Sequence, residues 1–146
     1  MNQYALLHTP DSRYCFATGK KELVIRLRTA KEDRDIRVFL VYGAKYEFQM
    51  KQNEIEMHVH YEDGLYQYYE KKLELEDVRL AYIFRIEENG KENYYSEDGL
   101  TETYCFPEAF YNFFQMPYIN PNDRLKTVDW MRKAVFYQIF IDRFRQ

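Results

Sequence analysis

Apolar and polar positions alternate along most of this chain, in short blocks separated by turn residues. In Glu22–Thr29, Leu23, Ile25 and Leu27 fall on one side, with Arg26 and Arg28 on the other. Asp35–Tyr42 repeats the pattern with Ile36, Val38, Leu40 and Tyr42 on the core side, and Gly43 is read as breaking that strand. Glu54–Tyr61 sets Ile55, Met57, Val59 and Tyr61 against Glu54, Glu56, His58 and His60. Val78–Glu87 is the clearest strand, with Val78, Leu80, Tyr82, Phe84 and Ile86 inward. Asn89-Gly90 follows at once and predicts a two-residue hairpin turn into Lys91–Tyr95, because both residues tolerate positive φ. Shorter stretches at Tyr4–His8 and Arg13–Ala17 also read as strands. Leu65–Leu75 is taken as a strand on its tyrosine pattern, although its Glu and Lys favour helix. Roughly six to eight short strands at regular spacing predict an all-β, antiparallel sandwich over residues 1–120.

The end of the chain breaks this pattern. Ala134–Ile141 is apolar at nearly every position, as in a strand buried on both faces of a parallel sheet. It is read as the first strand of a further domain, preceded by a linker over 121–133 that contains a helical turn near Val128–Arg132. The other reading is a last core strand or helix of one self-contained domain.

Composition changes this picture in one respect. Among 146 residues, 15 Tyr and 11 Phe exceed the needs of one small core, so several rings are expected at the surface. A net charge of −3, with both signs interspersed, argues against nucleic acid or an anionic membrane as the main partner. No apolar run is long enough to span a bilayer, and the first residues lack a signal-peptide pattern, so the cytoplasm is the expected compartment. Cys15 and Cys105 could pair, but two buried thiols are expected in a reducing compartment.

Little of the sequence has the spacing of a catalytic site. Glu54, Glu56, His58 and His60 share a strand face and could ligate zinc. The plainer reading, a solvated face of mixed charge with no metal, is adopted. No phosphate-binding loop, Cys-x-x-Cys or Gly-x-Ser-x-Gly occurs, and no carboxylate pair stands out in an apolar context. The sequence is therefore expected to be non-catalytic. The aromatic surplus remains, because a tyrosine or tryptophan ring can lie against the C–H face of a pyranose. Candidates are Tyr46, Tyr66, Tyr68, Tyr69, Tyr94, Tyr95, Tyr111 and Trp130, each of which could equally be core or interface packing.

Trp130, Lys-Ala-Val-Phe-Tyr-Gln-Ile-Phe from Lys133 and Asp-Arg-Phe from Asp142 resemble the entry into the catalytic barrel of α-amylase-family enzymes. These form glycoside hydrolase family 13, and the likeness is narrowest to the neopullulanase, cyclomaltodextrinase and maltogenic amylase group. Ile141 stands where that group commonly has proline. The resemblance implies an immunoglobulin-like β-sandwich of carbohydrate-binding module family 34, followed by the start of a (β/α)8 barrel at 134–146. It implies maltooligosaccharides or cyclodextrins as ligands, the protein's own barrel as a packing partner, and a homodimer in the whole enzyme. Val-Tyr-Gly-Ala-Lys-Tyr ending at Tyr46 resembles the group's Tyr-x-Asp-x-Tyr loop, with Ala44 in place of Asp. On that likeness Tyr46 and Tyr42 become carbohydrate-binding candidates. Trp130 is a further candidate, although interdomain packing is its expected role. The resemblance implies no cofactor for this domain and calcium only in the barrel, whose catalytic acids lie on later strands.

Overall fold

A computed structural model describes residues 1–76, 79–120 and 128–138. Nine strands form among the described residues: β1 Cys15–Ala17, β2 Glu22–Ala30, β3 Ile36–Ala44, β4 Asn53–Glu62, β5 Tyr66–Glu74, β6 Leu80–Glu88, β7 Lys91–Ser96, β8 Gly99–Thr101 and β9 Phe114–Met116. All their pairings are antiparallel, in the order β1-β2-β5-β4-β3-β6-β7-β8, with β9 added to β6. Strand β4 joins the two halves. Its first part, from Asn53 to Met57, pairs with β3, and its second, from His58 to Glu62, pairs with β5. A strand that changes partners midway closes one side of a two-layer sandwich.

The inward positions of the two layers meet in one core. Leu23, Ile25 and Leu27 of β2, with Tyr69 and Leu73 of β5, pack in the same cluster as Val38 and Leu40 of β3 and Tyr82, Phe84 and Ile86 of β6. Most of these are fully buried, and each large apolar side chain contributes about 1.5–3 kcal/mol by leaving water. The hairpin between β6 and β7 has Asn89 at φ 51° and Gly90 at φ 77°, as the sequence predicts for a two-residue turn.

Strands β3 and β6 carry a second cluster on their outer face. Val41, Ala81 and Ile83 are covered by Phe48, Ala109 and Phe113 from two surface loops. This explains why β3 and β6 are apolar at consecutive positions and not only at alternate ones.

Several expectations are corrected. Tyr4–His8 is not a strand: Ala5 N–H turns back to the carbonyl of Asn2, and only Leu7 pairs, with Arg28. Gly43 does not end β3, which continues through it to Ala44 opposite Leu80. Tyr61 does not share the inward face of Met57, because the ladder shifts register between Val59 and Tyr61. The irregular aromatic stretch after Cys105 contains a 3-10 turn, Phe106–Glu108, and the short strand β9. Both cysteines are free, with Cys15 buried but Cys105 exposed, so the expectation of two buried thiols holds for one. The turn expected before the last strand is a 3-10 helix, Asp129–Lys133. Residues 134–138 carry no strand pairing among the described residues, and the rest of the expected barrel strand, like Val78, lies outside them.

Candidate functional site

The loop after β3 is built by its own backbone and by one anchor. Glu47 N–H bonds back to the carbonyl of Ala44, and Met50 and Lys51 N–H bond to that of Glu47. Phe48 is fully buried against Phe113 and Phe106, at ring separations of 5.2 and 5.7 Å. With Phe48 held inside, Tyr46 is turned outward and is 71% exposed. The Arg79 guanidinium lies 5.1 Å from the Tyr46 ring centre, and Lys45 Nζ lies 5.8 Å from it, on the ring-facing geometry of cation–π pairs.

Arg79 also lines a groove of 540 Å³, together with Tyr42, Glu47, Lys51, Asn53 and Glu74 among others. Tyr42 is half-buried, with its body on the core and one side on the groove. Arg79 thus connects the two sequence-named tyrosines. An exposed ring beside carboxylates, an amide and two cations offers a face for sugar C–H groups and partners for sugar hydroxyls. Trp130 is elsewhere: it is 61% exposed on the Asp129–Lys133 turn, and its ring neighbour is Phe136 at 5.9 Å. No contact among the described residues joins it to Tyr42 or Tyr46.

The acidic face of β4 is occupied by arginines. Glu54 takes a bidentate bond from Arg85 at 2.7 and 2.8 Å, and Glu56 takes one from Arg37 at 3.0 and 3.3 Å. Arg37 holds the Glu56 carboxyl below its usual range, first by hydrogen bonding. No group of three or more metal-ligating side chains gathers among the described residues.

The other tyrosine candidates divide by surroundings. Tyr69 is buried in the core, and Tyr95 packs beside Phe114 at 5.5 Å. Tyr94 stacks with Tyr104 at 6.2 Å, Tyr66 lies under Arg28 at 4.1 Å, and Tyr111 is 67% exposed. Tyr68 belongs to a second concavity, on the outer face of β2, β5 and β4. This cleft of 330 Å³ is lined by Arg13, Tyr14, Arg26, His60, Tyr61 and Tyr68. Sequence alternation missed Tyr61 as a site residue because a bulge leaves no clear mark in the pattern, and Tyr14 because it reaches the cleft from a distant segment just before β1.

The family described as "Alpha amylase, N-terminal ig-like domain" matches residues 1–120. The chain belongs to this family. The cyclomaltodextrinase of Thermoanaerobacter pseudethanolicus (strain ATCC 33223 / 39E) is 32% identical over 145 residues, covering 99% of this chain and 25% of that protein. The maltogenic alpha-amylase of Bacillus acidopullulyticus is also 32% identical, over 151 residues, with the same two shares. A solved cyclomaltodextrinase structure superposes with a TM-score of 0.79 at 25% identity, over 94% of this chain and 23% of that one. The chain thus spans about a quarter of the length of the curated relatives it matches. What it shares with them is an N-terminal Ig-like domain, and these 146 residues are without the catalytic domain and non-catalytic. No helix among the described residues is long and apolar enough to cross a membrane.

Proposed function

We propose that this domain binds α-1,4-glucans, as maltooligosaccharides or cyclodextrins, on behalf of a glycoside hydrolase whose catalytic barrel follows it. The observation that carries this reading is Tyr46, an exposed ring held out by a buried Phe48 beside a polar groove that also reaches Tyr42. A ring fixed before the ligand arrives loses little entropy on binding. In the whole enzyme the same loop would reach the active site of a second subunit in a homodimer, favouring short or cyclic glucans. The domain itself takes no cofactor in this reading, with any calcium held by the barrel. Its cytoplasmic placement is supported by two unpaired thiols.

A second reading is favoured by a specific observation. Trp130, Met131, Val135, Phe136 and Tyr137 are all exposed within one short segment, from 49% at Met131 to 94% at Val135. Such clustering of apolar side chains marks a surface that packs on another domain or subunit. In that case the domain is a structural dimerisation and docking unit without sugar affinity of its own, and Trp130 serves packing.

Amide chemical-shift mapping with maltoheptaose separates the two. Binding at the groove moves the signals of residues 42–51 and Arg79 at about millimolar ligand. Unmoved signals there leave only the scaffold reading.

A further inference from the structure

The cleft on the opposite layer is a separate piece of construction. Tyr61 lies directly across the ladder from Tyr68, and their rings sit 5.5 Å apart at an interplanar angle of 35°. The pair forms a shallow, open angle of two aromatic faces. Tyr68 is pinned, because its hydroxyl donates to Asp63 Oδ2 at 3.0 Å, and Asp63 Oδ1 is itself held by the N–H groups of Leu65 and Tyr66 at 2.8 Å. Tyr61 is 58% exposed and needs no such brace to be reached.

Several polar groups of the cleft already have partners. Arg26 Nε donates to Glu70 at 2.6 Å, and its Nη1 donates to the carbonyl of Arg13 at 3.2 Å. His60 Nε2 stands 3.9 Å from the other oxygen of Glu70. Arg13 lies over the ring of Tyr14 at 5.3 Å. Tyr14 is 4% exposed, and its buried hydroxyl has no hydrogen-bond partner among the described residues.

We infer that the Tyr14–Tyr61–Tyr68 cleft is a second carbohydrate subsite, taking one or two units of a neutral glucan chain. The rings supply the faces for pyranose C–H groups, and the volume of 330 Å³ falls at the lower end of the roughly 300–1,000 Å³ of small-ligand sites. Glu70 already engages the Arg26 cation, and the two aromatic faces suit a neutral polyol better than a phosphate or carboxylate. The choice of a glucan among neutral sugars rests on the function proposed above, whereas the cleft itself does not depend on the Tyr46 groove.

The test is a pair of titrations, with maltotriose and with inorganic phosphate, followed by the amide signals of His60, Tyr61 and Tyr68. Maltotriose moves these signals in the wild type and in Tyr46→Ala alike. In Tyr61→Ala, whose lost ring is exposed and whose melting temperature checks the fold, the affinity read at this cleft falls by about tenfold. Signals that respond to phosphate and not to maltotriose, or to neither, overturn the subsite. Loss of the response in Tyr46→Ala overturns its independence from the groove. Failure of the Tyr46 reading shows differently, as unmoved signals in residues 42–51 while the cleft still responds.

Discussion

Tyr61 faces Tyr68 because His60, the residue before it, is extruded from the β4–β5 ladder. The pairing runs His58 with Glu70 and Val59 with Tyr69, then Tyr61 with Tyr68, leaving His60 without an opposite residue. A one-residue shift exchanges the faces of every side chain beyond it. Without the bulge, Tyr61 would lie on the side of Val59 and Tyr69. Deleting His60 is therefore expected to separate the two rings. Nuclear Overhauser contacts between the Tyr61 and Tyr68 ring protons should be present in the wild type and absent in the deletion variant.

His8 should make the fold sensitive to acid. It is buried, its Nδ1–H donates to the carbonyl of Arg26 at 2.7 Å, and its Nε2 accepts from the Tyr82 hydroxyl at 2.8 Å. Both contacts suit the neutral ring. Burial lowers its pKa from 6.5 to about 4, against smaller opposing effects from the Arg26 carbonyl and Asp11. Between those values the unfolded chain binds the proton and the folded chain does not, so this contribution is complete above pH 6.5 and is lost as pH falls toward 4. The gap corresponds to about 3 kcal/mol. Urea unfolding at neutral and mildly acid pH should show this loss in the wild type, and a smaller one in His8→Gln.

Gly43 should not tolerate a methyl group. A Cβ there would stand 2.7 Å from the carbonyl oxygen of Lys51, which is backbone and cannot swing aside. Gly43→Ala is expected to cost about 1–3 kcal/mol in chemical denaturation and to displace the loop that carries Tyr46. Wild-type stability in this variant would show that the loop approaches β3 less closely.

The two thiols should differ sharply in reactivity. Burial pushes the Cys15 thiol up to about 11, whereas Cys105 is exposed. One thiol per chain should react quickly with a disulfide reagent such as dithiobisnitrobenzoate in the native state, and the second only on unfolding.

Much of the fold is legible in the sequence where one face is wet and the other dry. Leu23, Ile25 and Leu27 against Arg26 and Arg28 mark β2, and Asn89-Gly90 marks the β6–β7 hairpin by the one dihedral choice it makes cheap. Legibility fails where tertiary contact decides. Val41 and Ile83 look redundant in an alternating strand until Phe48 and Phe113 are seen above them. Leu6 and Leu7 look like strand residues, yet their segment is fixed by a turn, by one bridge and by Asn2 N–H bonding Asp33. At the candidate site, Tyr46 and Tyr42 follow from a loop resemblance. The Tyr14–Tyr61–Tyr68 cleft depends on a bulge in β4 and on Tyr14, which reaches it from a segment distant in sequence.

The most direct test of glucan binding is calorimetric titration of the domain with maltoheptaose and with β-cyclodextrin, in the wild type and in Tyr46→Ala. A Kd of about millimolar or tighter, near −4 kcal/mol, is expected, weakening when the Tyr46 ring is removed. No heat of binding at high ligand concentration, or equal affinity in both proteins, would contradict it.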